Sequence, residues 1–395
     1  MTSPDGGWLE GPRRLSFEAR LLARVLGAAR ARWGTLAAGR RLVRYLRDPR
    51  ALPRGGGDRY LRLRGQVFAV PALPPLDERD FVDHLLDDLA ALEAGTPAPL
   101  SLAMVCVTPR CIHRCAYCYN AQDHGETELL SLEILVRTVR DLAAAGVRNV
   151  FLSGGEPMLR ARDLPLLLAA CRDPHLGLWL VSTGYGMTPD RMSELRAAGL
   201  RGVMISLDGQ DAAAHDRVKG RPGAFAEAVA ALGACRDAGL VVGVNCLIGP
   251  ALLERAALED FVRWAGGRGA HFVSLNTPHP VAGDDSLRPL PVADLLAVER
   301  LAAATRRGSA WRGQPLAYSP DAWEALRGCV GGQEFVYVSP RGELMACPFL
   351  RDGVGRVQDT PVADLLRVVR GRRAGCRVCQ SLSATRSCRR GSAVS

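Results

Sequence analysis

The sequence predicts an α/β fold, a partial (β/α)6 TIM-like barrel. Three observations predict it. From residue 100 onward, apolar runs at 100–107, 148–153, 177–183, 202–208, 240–247 and 270–276 alternate with helical patterns at 131–145, 163–172, 189–198, 223–238, 251–266 and 291–306. The apolar runs are near-continuous rather than alternating, as parallel strands buried on both faces require. Six units are too few to close an eight-stranded barrel, so an open sheet is expected.

Ahead of the barrel, residues 15–47 read as one amphipathic helix. Leu15, Leu22, Ala29, Leu36 and Val43 recur at intervals of seven, with Leu26, Trp33 and Leu46 beside them. Asp48-Pro49 stops it, because proline disfavours helical geometry in the residue before it. Residues 60–70 alternate around Gly65 and predict a short hairpin. Residues 77–93 predict a helix with Asp77 as N-cap and acidic residues in its first turn. Beyond the barrel, Phe335–Val338 and Glu343–Ala346 flank a Ser339-Pro340-Arg341-Gly342 turn, and a helix begins at Pro361 behind Thr360. The expected organisation is an N-terminal extension over 1–98, the barrel over 99–310 and a small cysteine-rich domain over 311–395.

Composition narrows the setting. Residues 1–65 hold fifteen arginines against five acidic residues, and the whole chain is also +10, so the remainder is neutral. A basic amphipathic helix over 15–47 suits an anionic membrane surface or an acidic peptide, or it docks on the barrel with its arginines in water. Without an interleaved aromatic platform, nucleic acid is not the expected partner. No run of 18 apolar residues is present. The first residues lack a positive segment followed by an apolar core. Twelve cysteines without an export signal fit a reducing cytoplasm and metal ligation rather than disulfides. Lys219 is the sole lysine.

The polar residues gather at the carboxyl ends of the expected strands, where parallel sheets bind ligands. The first strand runs into Cys111, Cys115 and Cys118, spaced x3 and x2. The second ends at Ser153-Gly154-Gly155-Glu156-Pro157, the third at Ser182-Thr183-Gly184-Tyr185, the fourth at Ser206-Leu207-Asp208-Gly209. The fifth carries Asn245, and the sixth ends at Asn276-Thr277. Three thiolates on one loop can hold three irons of a cubane and leave the fourth open. A zinc knuckle is the other reading, but such sites close a tetrahedron with a second cysteine pair, and none is near.

The cysteine triplet followed by Gly-Gly-Glu-Pro resembles the radical S-adenosylmethionine (radical SAM) superfamily. The resemblance implies a site-differentiated 4Fe-4S cluster on Cys111, Cys115 and Cys118, S-adenosylmethionine as cofactor, and an electron donor such as a flavodoxin or ferredoxin. It further implies that Gly154, Gly155 and Glu156 hold the methionine amino group. Thr183, Ser206 and Asn245 would touch ribose or carboxylate, and the backbone at Tyr117 the adenine. Arg217 is a candidate partner for the carboxylate, or else a helix-end ion pair. Asp208, His279 and Cys388 are positional candidates for catalysis.

Cys329, Cys347, Cys376 and Cys379 follow as C-x17-C, a gap, then C-x2-C, with Gly342 ahead of Cys347. This resembles the twitch form of the SPASM domain and implies an auxiliary 4Fe-4S cluster. A four-cysteine zinc site has the same ligand count. Cys388 is left over as ligand, hydrogen donor or inert thiol. Cys106, Cys171, Cys235 and Cys246 fall on strands and helices and read as core. The region after the fourth strand resembles peptide-modifying members. The expected function is therefore maturation of a ribosomally made peptide, by crosslink, thioether or epimerisation. The alternatives are a small-molecule natural-product dehydrogenase or dehydratase, and a lipid-modifying enzyme. A non-enzymatic cluster or zinc protein is the class outside catalysis.

Overall fold

The computed structural model describes residues 6–47, 59–71, 74–96, 99–125, 127–249, 252–279, 290–307, 309–321, 324, 329–350 and 352–371. Its N-terminal part runs β1 (Gly6–Leu9), α1 (Gly11–Trp33), α2 (Thr35–Arg47), β2 (Tyr60–Leu63), β3 (Gln66–Phe68) and α3 (Arg79–Ala94). β1, β2 and β3 form an antiparallel sheet in that order. The expected hairpin is present, and β1 is an addition that four residues of sequence did not reveal.

The expected single helix over 15–47 is two helices. Gly34 takes a φ of +76°, which a residue with a Cβ rarely adopts, and the chain turns there. The seven-residue stripe is not a buried seam: Leu15, Leu22, Leu36 and Val43 are 56, 57, 84 and 48% exposed. Of the stripe Ala29 turns inward, with Phe17, Val25, Ala38 and Tyr45, onto α3 residues Phe81, Val82, Leu85, Leu86 and Leu89. Asp77 is not the N-cap of α3. Its carboxylate accepts from Val67 N at 2.8 Å and so tethers α3 to β3, while Glu78 holds the cap position without a side-chain bond.

The barrel runs β4 (Leu102–Cys106), α4 (Leu132–Ala144), β5 (Asn149–Ser153), α5 (Leu164–Ala170), β6 (Gly177–Ser182), α6 (Pro189–Ala198), β7 (Leu200–Ser206), α7 (Ala212–Lys219), α8 (Ala224–Asp237), β8 (Val241–Leu247), α9 (Arg255–Gly267), β9 (Phe272–Asn276) and α10 (Val292–Arg307). β10 (Leu316–Tyr318), β11 (Phe335–Val338), β12 (Leu344–Met345) and α11 (Val362–Gly371) follow. All six expected strands pair in parallel and in sequence order.

The sheet continues past residue 310. β10 adds in parallel to β9, and β11 in parallel to β4, with β12 antiparallel beyond it. Val336, Val338, Leu344 and Leu365 belong to the same apolar core as the barrel helices. Open sheet edges carry unpaired N–H and C=O groups, and these short strands satisfy them on both sides.

Side chains alternate between the two faces of the sheet. Val150, Leu152, Leu178, Leu180, Val203, Ile205 and Val273 pack on the helices. Phe151, Trp179, Met204, Phe272 and Leu316 face inward and meet Leu61 and Phe68 of the N-terminal sheet. Apolar packing against that sheet fills the inner face near the strand starts. The same period places Ser153, Thr183, Ser206, Asn245, Ser274 and Asn276 on the inner face near the strand ends.

Candidate active site

The loop after β4 is fixed on three sides. Gly155 N donates to Thr108 O at 2.8 Å and Glu156 N to Arg110 O at 2.7 Å, so the β5 loop lies along the cysteine loop. That approach requires glycine: a Cβ at Gly155 would sit 2.1 Å from Arg110 O, and one at Gly154 2.8 Å from Thr108 O. Buried Arg160 donates to Val107 O and Leu130 O at 2.8 and 2.7 Å. On the far side, Arg114 N and Ala116 N donate to Lys219 O and Val218 O at 3.0 and 3.1 Å.

Cys111, Cys115 and Cys118 are therefore presented together, each half-buried. Burial pushes the Cys111 thiol up to about 11 and the Cys115 thiol to about 12. The neighbouring sulfurs raise them further, so three thiolates on this loop call for cations between them. Among the described residues, no three His, Cys, Asp or Glu side chains converge as they would on one metal ion. A cubane, which gives each thiolate its own iron, does not ask them to. The donor set and the glycine-lined approach thus fit a cluster with a small molecule beside it. His113, between the first two cysteines, is 1% exposed with neither ring nitrogen bonded, and burial lowers it to about 4.

The Glu156 carboxylate is held by several donors of the chain. It is fully buried, and its oxygens take hydrogen bonds from Ser182 Oγ (2.7 Å), Thr183 N (2.9 Å), Thr183 Oγ1 (2.6 Å) and Met158 N (3.0 Å). Burial raises its pKa while these donors hold it down. It braces β5 to β6, leaving the Gly154–Gly155 backbone to meet a ligand. Ser206 and Asn245 are register partners on β7 and β8, both half-buried. Asn276 Nδ2 donates to Asn245 Oδ1 at 2.8 Å. Arg217 is exposed on α7; the cation that turns inward is Lys219, two residues on.

Asp208 is likewise engaged. Its carboxylate is 2.9 Å from Lys219 Nζ, and it accepts from Tyr117 OH at 2.5 Å and Leu247 N at 3.0 Å. Burial works most strongly against its charge, and Lys219, Tyr117 and Leu247 N together hold its pKa low. An ion pair so enclosed is not a free acid or base. His279, at the end of β9, has Nε2 2.8 Å from Asp321 Oδ1, while Asp321 Oδ2 accepts from Thr277 N at 2.7 Å. The His279 ring stacks on Phe349 at 4.4 Å, and its Nδ1 is buried without a partner.

The C-terminal segment closes against the cysteine loop. Tyr119 makes edge contacts with Tyr337 and Phe349 at 6.0 and 5.9 Å. A Cβ at Gly331 would lie 3.4 Å from Cys329 Sγ and 3.5 Å from Cys347 Cβ, so these two cysteines flank one glycine. Cys376, Cys379 and Cys388 lie outside the described residues. Cys106, Cys171, Cys235 and Cys246 are buried, as expected of core residues.

The profile of the Radical SAM superfamily matches residues 105–265. A PqqA peptide cyclase of Xanthomonas campestris pv. campestris strain B100 is 30% identical over 291 residues, covering 68% of this chain and 73% of that protein. The chain belongs to the radical SAM superfamily. An AdoMet-dependent heme synthase of Nitratidesulfovibrio vulgaris is 27% identical over 304 residues, covering 70% of this chain and 81% of that protein. In fold, the chain is similar to Streptococcus suis SuiB bound to S-adenosylmethionine, with a TM-score of 0.59 at 14% identity over 76% of each chain. This radical SAM chain is an enzyme, and its superfamily implies a 4Fe-4S cluster and S-adenosylmethionine. No helix among the described residues is long and apolar enough to cross a membrane.

Asp321 and the Asn120–Tyr337 pair were not legible as site residues. Lys219 carried one signal, its being the sole lysine.

Proposed function

We propose that this enzyme modifies a ribosomally made peptide. The observation that carries the reading is the similarity to a PqqA peptide cyclase across more than two thirds of both chains. Cys111, Cys115 and Cys118 would hold the first cluster, and S-adenosylmethionine would lie across the carboxyl ends of β4–β8. Bound there, the pair supplies reductive cleavage to methionine and a 5′-deoxyadenosyl radical, with one electron from a flavodoxin- or ferredoxin-like donor.

The chain's own groups then position and enclose. The Gly154–Gly155 backbone meets the methionine end. Thr183, Ser206 and Asn245 present hydroxyl and amide groups on one inner face, suited to ribose and carboxylate. The backbone at Tyr117 borders the adenine. The apolar packing beneath, from Phe151, Trp179, Met204 and Phe272, closes the floor against water. The described part of the C-terminal domain, with Cys329 and Cys347, is read as one half of a twitch-like auxiliary site completed by Cys376 and Cys379. Cys388 is left as a further thiol. The Arg-rich outer face of α1 and α2, with its exposed leucines, would receive an acidic leader segment, and contact with an anionic membrane is the competing use. The division 1–98, 99–310 and 311–395 is kept as three functional parts, the last two sharing one sheet.

Peptides encoded beside the gene, supplied with reductant and S-adenosylmethionine, should yield 5′-deoxyadenosine together with a changed peptide mass or stereochemistry. Turnover with a sugar or aminocyclitol and none with any such peptide would replace this reading with the small-molecule one. After anaerobic reconstitution, about eight iron and eight sulfide per chain would support two cubanes, and about four would leave only the first.

A further inference from the structure

Lys219 is the only lysine in the chain, and it is 1% exposed. Its ammonium lies 2.9 Å from Asp208 Oδ2, donates to Tyr117 OH at 2.5 Å and sits 5.1 Å from the Tyr117 ring centre. Tyr117 OH passes its own hydrogen on to Asp208 Oδ2 at 2.5 Å. These three side chains form a closed set beneath the cysteine loop. Tyr117 stands between Cys115 and Cys118, and the residues on either side of Cys115 are bonded to the carbonyls of Val218 and Lys219. The approach is tight, since a Cβ at Gly220 would meet Arg114 O at 2.8 Å. Every other basic side chain except histidine is arginine.

Carrying a charge to such a place is costly unless something nearby rewards it. Asp208 answers part of that cost. An anionic cluster on the loop above would answer more.

We propose that Lys219 is the fixed counter-charge of the first cluster, held under Cys115 by Asp208 and Tyr117, and that it raises the cluster's reduction potential. This rests on the reading that Cys111, Cys115 and Cys118 hold that cluster. The one-electron reduction adds negative charge to an already anionic centre. A buried cation at fixed distance favours the reduced form, and the low-dielectric surroundings screen it little. Asp208 acts in the opposite direction, so substitutions at the two residues separate their effects. Lys219 is thus a tuning group that touches neither substrate nor reacting carbon.

The test is a dithionite-poised redox titration of the reconstituted full chain, read by electron paramagnetic resonance on the signal that changes when S-adenosylmethionine is added. Lys219→Met should move the midpoint to more negative values, and Asp208→Asn, which uncovers the lysine charge, to more positive ones. Lys219→Arg, which keeps the charge, should stay at the wild-type midpoint. Shifts of the same sign in Lys219→Met and Asp208→Asn would mean a disturbed loop and overturn the proposal, as would an unmoved midpoint in either. Where Lys219→Met fails to take up iron, Lys219→Arg and Asp208→Asn decide alone: unchanged and positive supports it, any other pair overturns it. A wild-type protein with no signal responsive to S-adenosylmethionine would instead remove the cluster assignment itself.

Discussion

Tyr337 donates a hydrogen bond to Asn120 Oδ1 at 2.8 Å, across 217 positions of sequence. Both side chains are buried, at 1 and 4% exposure. Asn120 follows Cys118 by two residues, and Tyr337 sits on β11, the strand that covers the open side of β4. The C-terminal segment is therefore a buttress of the cysteine loop as well as the carrier of two further cysteines. Arg341 adds a second tie, to Asp123 at 3.2 Å.

Tyr337→Phe removes the donor and leaves the Asn120 carbonyl oxygen buried without it. An unsatisfied buried acceptor costs about 1–3 kcal/mol. The variant should melt earlier and lose iron faster to a chelator than the parent. Equal rates of iron loss would show that the hairpin does not hold the loop.

Gly155→Ala is expected to be far more severe than its one methyl group suggests. The added carbon would lie 2.1 Å from Arg110 O and 2.8 Å from Cys111 Cβ. Moving it away breaks the bonds from Gly155 N and Glu156 N to the cysteine loop. Overpacking of this kind costs about 1–3 kcal/mol, and here it falls on the cluster ligands. Iron content after reconstitution and 5′-deoxyadenosine release should both collapse. Gly233→Ala, in α8 with nothing within 4 Å of the new carbon, should instead stabilise by about 0.5–1 kcal/mol.

The contrast between these glycines shows what the sequence could and could not tell. The six core strands and their helices were legible because each is a long apolar run with one period, and burial on both faces leaves little freedom in composition. β11 was legible as one arm of a hairpin but its pairing with β4 was not, and β10, three residues long, is a strand because a backbone edge needed a partner, a fact no local pattern carries. The cysteine spacing and Gly154–Gly155 were legible because they are contiguous. The burial of Glu156 was not legible, because it depends on Ser182 and Thr183, nearly thirty residues away. The same holds for Lys219: its partners Tyr117 and Asp208 meet it only through the fold.

His279→Gln should separate substrate chemistry from cofactor cleavage. Asp321 fixes the ring through Nε2, and the unpartnered Nδ1 is a buried polar atom of the kind that marks a functional group. If His279 serves the substrate, the variant will still release 5′-deoxyadenosine under strong reductant while product falls by roughly 10²-fold or more, the lower range for a lost acid or base. Parallel loss of both would place His279 in the structure of the site instead. Asp321→Asn should show the same split in weaker form, because the ring loses its orienting charge and not its nitrogen.

Acid should destabilise the fold through two histidines, His215 buried and His271 half-buried. His271 Nδ1 accepts from Val242 N at 3.0 Å, and His215 Nδ1 accepts from Asp208 N at 3.3 Å. A nitrogen that accepts a backbone hydrogen bond cannot also bind a proton, so both rings are held neutral. Burial pushes both down to about 4, helped by Arg236 at His271 and by Lys219 at His215. In the unfolded chain the same rings titrate near the ordinary value of about 6.5. Between those values the unfolded state takes up protons that the folded state refuses, so stability rises with pH across the window. Their contribution is complete above about pH 6.5, and it erodes as the pH falls toward about 4. His271→Asn keeps an acceptor for Val242 N and removes the proton site. Urea midpoints taken at steps from pH 7 to pH 4.5 should fall less steeply in this variant than in the parent. Parallel lines would mean that His271 binds its proton equally well in both states, and that the accepting geometry at Val242 does not persist in solution.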